Sequence, residues 1–177
     1  MEFSSPVKVP DGRYYLKVTG ENRLLLTKVD VESFLDKPVI LSLSESQAQK
    51  VRDLEDKVMV RAKESAVEWF GRDVHVATIQ KAFQSSLGLG NTFEANLTTK
   101  KGQVVTTFWG PGKVIMDADS DWSAGADVIV ELSGVWFLKK SFGPIFKVLQ
   151  VKSSDTKRVP EYLFPEEPVE DDEDYLD

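Results

Sequence analysis

The chain has 177 residues, no cysteine, 41% hydrophobic and 29% charged residues, and a formal net charge of -7. That length holds one compact domain with its own core, the composition is that of a globular chain, and the lack of Cys excludes disulfides, thiolate nucleophiles and Cys-ligated zinc or iron–sulfur centres. The acidity is local: nine acids and no Lys or Arg fall in residues 161–177, so residues 1–160 carry twenty acids against twenty-two bases, a net of +2.

The opening Met1-Glu2-Phe3-Ser4-Ser5-Pro6 lacks the basic start and apolar run of a signal peptide, and no stretch approaches the roughly 18 apolar residues of a membrane span. An intracellular, reducing compartment is the expectation. Residues 14–18 and 23–29 are rich in β-branched and aromatic residues and flank Thr19-Gly20-Glu21-Asn22, which predicts a hairpin; residues 38–43 add a further short strand. The period then changes. Ala48, Val51, Leu54, Val58, Ala62, Ala66 and Trp69 mark one helical stripe, opened by a Ser44/Gln47 capping box and closed at Gly71. A second helix fits Val76, Ile79, Phe83 and Leu87 and ends at Gly88. Strand character returns at 92–98, 103–109, 113–116, 127–138 and 145–151, the last two joined through Lys140-Ser141-Phe142-Gly143-Pro144.

These elements predict a mainly β, α+β domain over residues 1–160, a small barrel or sandwich with two inserted helices packed at one end or face. Residues 161–177, with Pro165, Pro168 and the acidic run, are too polar to order themselves and are expected to be a disordered tail.

Catalytic motifs are scarce: there is one His, no phosphate-cradling glycine loop followed by Lys-Ser/Thr, and no Gly-x-Ser-x-Gly elbow. His75 stands at a predicted helix start, where a capping or surface role is expected. Asp117, Asp119 and Asp121 alternate as in the opening of a calcium loop, but Trp122 takes the place of the turn glycine and Val128 that of the bidentate Glu. An exposed acidic loop is the expectation, with no metal and no cofactor. Gly88-Leu89-Gly90 is too short for a phosphate cradle and reads as a helix stop.

The informative stretch is 93–152, where aromatic and basic residues interleave on predicted strands. Lys100, Lys101 and Lys113 accompany Trp109 with no acid between Ala95 and Met116; Lys139, Lys140, Lys147 and Lys152 accompany Trp136, Phe137, Phe142 and Phe146. A groove for single strands needs this combination, because cations track phosphates and flat rings stack on bases. The alternative is that the rings fill the core and the lysines are a solvated face. Strand parity sets Val128, Val130 and Leu132 against Ile129, Glu131 and Ser133, with the second set outward; a bulge at Gly134 leaves open which of Trp136 and Phe137 faces out.

The hairpin over residues 127–151, the tail Glu170, Asp171, Asp172, Glu173, Asp174, Tyr175, Leu176 and Asp177, and the Glu68-Trp69-Phe70-Gly71 helix end together resemble the replication single-stranded-DNA-binding proteins of bacteriophages and large DNA viruses. The resemblance implies an OB-like five-stranded barrel. It also implies a non-enzymatic coat on single-stranded DNA in replication, recombination or repair, with a tail that competes for the groove and recruits replication proteins, in a host cytoplasm or nucleus. RNA as ligand and a homo-oligomer stay open. The helical segment from Ser44 to Leu87 is larger than a minimal OB barrel carries. Two other readings are a virion or assembly scaffold, and a metal-dependent nuclease built on Asp117 and Asp119.

Overall fold

The computed structural model describes residues 1–154; the expectations for the tail, residues 161–177, lie outside the described residues. In chain order the strands are β1 (Glu2–Phe3), β2 (Val7–Lys8), β3 (Tyr14–Thr19), β4 (Arg23–Val31) and β5 (Val39–Ser42). Helices α1 (Glu45–Glu64), α2 (Ala66–Phe70) and α3 (Val76–Ala82) follow. The chain continues with β6 (Thr92–Leu97), β7 (Thr99–Lys100), β8 (Gln103–Val104), β9 (Thr107–Trp109), β10 (Ile115–Met116), β11 (Ala126–Phe137) and β12 (Phe142–Ser153). The fold is mainly β with three helices, an α+β domain as the sequence predicts. No helix among the described residues is long and apolar enough to cross a membrane.

Two long strands organise the sheet. Along one edge of β11 lie β3 and β4 end to end, each paired to β11 and not to each other as the predicted hairpin requires, and along the other lies β12. The far edge of β12 takes β6 and then β9, both parallel. Antiparallel joins of β4 to β5 and β5 to β6 complete a closed circuit of pairings, β4–β5–β6–β12–β11. Its interior is the core. On β11 the buried residues are Val128, Val130 and Leu132, then Val135 and Phe137, because Ser133 is an extra residue between the Leu132–Phe146 and Gly134–Ile145 pairs. The bulge therefore resets the alternation and turns Trp136 outward and Phe137 inward. A second extra residue, Leu149, does the same on β12.

The core placement corrects three expectations. Phe137, Phe142 and Phe146, candidate stacking rings by sequence, are 5%, 0% and 2% exposed. Phe142 packs against Phe70, Phe83 and Phe137 at ring distances of 5.2, 5.3 and 6.0 Å, and Phe146 meets Phe93 at 5.0 Å. With every face against protein, none has a surface for a base.

The helices depart from expectation in two ways. Ser44 and Gln47 form the predicted capping box, and Gly71 closes α2. The predicted single helix is nevertheless interrupted at Ser65, whose Oγ accepts from Arg61 Nε at 2.8 Å and whose backbone (φ -116°, ψ 32°) leaves the helix. The second predicted helix stops five residues early, at Ala82. Phe83 is extended and bridges to Phe142, and Ser85 and Ser86 are held by Glu55, a carboxylate of α1 only 5% exposed. Glu55 accepts from Ser85 Oγ at 2.6 Å, Ser86 N at 2.8 Å and Ser86 Oγ at 2.6 Å. A buried carboxylate is tolerable because these donors replace water.

The predicted strand 103–109 is broken at Thr106, whose buried hydroxyl donates to the Val148 carbonyl at 2.6 Å and accepts from Thr98 N at 2.8 Å. The predicted strand 113–116 shrinks to β10, since Gly112 and Lys113 turn with φ 74° and 65°. In the β11–β12 hairpin, Leu138 N donates to Ser141 O at 2.8 Å, so Gly143 and Pro144 belong to the strand and not to the turn.

Two stability measurements check this assignment by chemical denaturation. Phe146→Ala is expected to cost about 3–5 kcal/mol and its neighbour Lys147→Ala within about 0.5 kcal/mol; equal losses would contradict the inward parity. Glu55→Ala, which strips Ser85 and Ser86 of their acceptor, is expected to cost about 2–3 kcal/mol, and an unchanged midpoint would show that water satisfies that turn.

Candidate nucleic-acid interface

The loops at one end of β12 enclose a cleft of about 720 Å³. Its floor is the outer side of β6, β9 and β12, contributing Asn96, Trp109 and Lys147. One wall is the connection from β4 to β5, with Leu35, Asp36 and Lys37; another is the β7–β8 hairpin, with Thr99, Gly102 and Val104; the third is β10 with Ile115 and Met116, followed by Asp117.

Each wall has a local cause. Phe34, 1% exposed, inserts beside Phe108 and Trp122, both with ring centroids at 5.4 Å and edge-on, so it nails the β4–β5 connection to the core while Leu35 and Lys37 stay outside. Trp122 closes the triad at 5.8 Å from Phe108 and donates Nε1–H to the Ala118 carbonyl at 3.2 Å. This explains a tryptophan where a calcium loop needs glycine. Lys101 and Gly102 both have positive φ, 52° and 79°, the requirement of a two-residue type I′ turn, which holds exposed Lys100 and Lys101 at the tip of the hairpin wall.

The mouth is apolar and the rim cationic. Ile115 is 75% exposed, Leu35 61% and Val104 52%, so each of the three walls presents an aliphatic side chain to solvent. Trp109 is half-buried among them, its Nε1–H donated to Thr107 Oγ1 at 3.2 Å, which leaves the indole an amphipathic wall. Lys37 and Lys147 line the cleft against Asp36 and Asp117; Lys100, Lys101 and Lys113 stand exposed on the bordering turns. Lys152 pairs in register with Trp109 and lies 3.8 Å from Asp127. Among the described residues, no other candidate lysine is ion-paired.

The structure thus gathers Lys100, Lys101, Trp109, Lys113, Lys147 and Lys152 around one cleft and leaves Trp136, Lys139 and Lys140 at the other end of β11 and β12. Sequence reasoning missed Lys37 and Leu35, which belong to a connection with no strand or helix signal; the only hint was an apolar Phe34-Leu35 pair in an otherwise polar stretch. The sequence-predicted tail residues Glu170–Asp177 lie outside the described residues. The aspartates serve local turns: Asp117 N donates to Ser120 Oγ at 3.1 Å, and Asp121 accepts from Ser123 N at 2.9 Å, a bond that lowers its pKa. Among the described residues no group of three or more metal-ligating side chains is assembled. His75 caps α3, its Nδ1 accepting from Ala77 N at 3.1 Å.

No curated protein and no solved structure matches this chain. A family model does, over residues 25–170, a span that takes in most of β4, the helices and the whole cleft and leaves β1, β2 and β3 outside. On the strength of that match, the chain belongs to the family described as "Family of unknown function (DUF5871)".

Proposed function

We propose that this protein is a non-catalytic, largely sequence-independent single-stranded DNA-binding protein acting in replication, recombination or repair, and that the cleft is where the strand lies. The observation that carries the reading is the placement of Trp109 in an apolar trough whose lining and rim include Lys37, Lys100, Lys101, Lys113 and Lys147. Bases stack on such a ring without readout of sequence, and phosphates follow the ammonium groups.

The closed strand circuit supports an OB-like reading. Counting β4, β5, β6, β11 and β12 as its five strands, the loops through which OB folds hold oligonucleotides, between strands 1 and 2 and between strands 4 and 5, are the segment bearing Lys37 and the turn bearing Lys139 and Lys140. The acidic residues 161–177 follow a body of net charge +2. In this reading they compete with DNA for the lysines and recruit replication proteins through Tyr175 and Leu176, as the resemblance to the viral single-strand-binding proteins implies. The exposed aliphatic rim favours a second reading, a scaffold whose cleft meets another protein.

Fluorescence anisotropy of a labelled oligothymidylate, with the full chain and with residues 1–160 over a salt series, separates the two. Binding is expected to weaken with salt, with a logarithmic slope of about -0.7 per phosphate neutralised, and to tighten without the tail. Trp109→Ala is expected to weaken binding by about 1–3 kcal/mol, and Lys37→Glu with Lys147→Glu to flatten the salt slope. Absence of binding by both chains at low salt would sink the reading and leave the scaffold; cleavage of the oligonucleotide with magnesium or manganese would replace it with a nuclease.

A further inference from the structure

The candidate residues at the other end of β11 form a second surface. The register of β3 on β11 sets Tyr15 beside Trp136. Both are half-buried on the outer face, since Leu16, Val135 and Phe137 occupy the core. A Cβ on Gly134 would come within 2.5 Å of Leu16 O and 2.6 Å of Tyr15 Cε2, and one on Gly143 within 2.6 Å of Gln84 O and 2.8 Å of Trp136 Cζ2. Two glycines therefore let the two rings lie close against the backbone on the outer face, each still partly open to solvent. Lys17 shares that face of β3, and Lys139 and Lys140 are exposed in the turn just past Trp136. Of the acids nearby, Glu131 is engaged by Arg23 at 3.2 Å, and Glu21 lines the same depression as Tyr15 and Lys17.

This surface and the cleft share the outer side of β12. Gly143, opposite Trp136, is followed on the outer face of β12 by Ile145 and then by Lys147, which lines the cleft; the strand runs on to Lys152 beside Trp109. From Gly143 to Lys152 the distance is on the order of 30 Å at the rise of a β-strand, a span for several nucleotides and within the roughly 4–16 that one OB-type fold covers.

We propose that Tyr15 and Trp136 are a second stacking platform for the same single strand, which leaves the cleft past Lys147 and places further bases on these two rings. The proposal rests on the reading of the cleft as a single-strand site. It also gives β3, which lies outside the family match at residues 25–170, a direct part in binding.

The test uses the full chain with labelled oligothymidylates of about 4 and about 16 nucleotides at low salt. Trp136→Leu and Tyr15→Leu are each expected to weaken the long oligonucleotide about tenfold, in the range of one lost stack, and to leave the short one unchanged, whereas Trp109→Ala weakens both. Photo-crosslinking of the wild-type chain to a long strand carrying iododeoxyuridine at successive positions, read by mass spectrometry, is expected to give adducts at Trp136 or Tyr15 as well as at Trp109, and needs no variant to fold. Unchanged long-strand affinity in the variants, or adducts confined to the cleft, would overturn the platform while leaving the cleft intact. No binding of either length by the wild type would remove the cleft reading and the platform together.

Discussion

The closed strand circuit of the described residues is hung on the β11–β12 ribbon. Apart from β5, every strand of the closed circuit pairs with one of these two, and their inward side chains, Val128, Val130, Leu132, Val135, Phe137, Phe142, Phe146, Val148 and Val151, make up the centre of the core. Because a strand presents alternate residues to opposite faces, filling the interior at these positions fixes which residues meet solvent. The outward row, with Lys147 and Trp136, is thus the geometric complement of the core and not a separate provision.

The cleft arises where the far edge of β12 passes from β6 to β9. β9 and β10 are short and end in turns, and the chain between β4 and β5 has no ladder to hold it. Phe34 anchors it, packed edge-on against Phe108 and Trp122. Aromatic pairs of this kind contribute about 0.5–1.5 kcal/mol beyond the area they bury, enough to position one wall while leaving its outer residues free of packing constraint. Exposed aliphatic surface, and lysines such as Lys37 and Lys147 that have no ion pair among the described residues, can then gather at the rim without cost to the core.

Much of this architecture was legible in the sequence, for reasons that differ by element. The α1 stripe and its Ser44 cap were plain because period and cap chemistry agree; the long hairpin was plain because both its strands alternate. The second helix is shorter than predicted: Phe83 and Leu87 continue the helical spacing, yet Phe83 makes a long-range bridge to Phe142 and Leu87 a local one to Phe93, and the Ser85-Ser86 hydrogen bonds to Glu55 outweigh local propensity. The same blindness to tertiary contact made Phe137, Phe142 and Phe146 look like surface rings. An aromatic beside lysines has the same composition signature whether it fills a core or faces solvent, and only the bulge at Ser133 decides which of Trp136 and Phe137 does which. The cleft was half legible, through its lysines and Trp109, whereas Leu35 and Lys37 reach it by a path no local pattern encodes.

The bulge on β11 also sets how this chain can change in length. Before Ser133 the even-numbered residues face inward and after it the odd-numbered ones do, so the strand carries two phases joined at one superfluous position. Removal of Ser133 would fuse them into a regular alternation with Leu132, Val135 and Phe137 still inside. Removal of any other residue between Val128 and Leu132 would drive Ile129 or Glu131 inward on the near side of the deletion or force the whole ribbon to slip. Substitution is easier along the outer row than along the inner one, but deletion is tolerated only at the bulge, and a length variant of this strand that still folds should have lost Ser133 or Gly134.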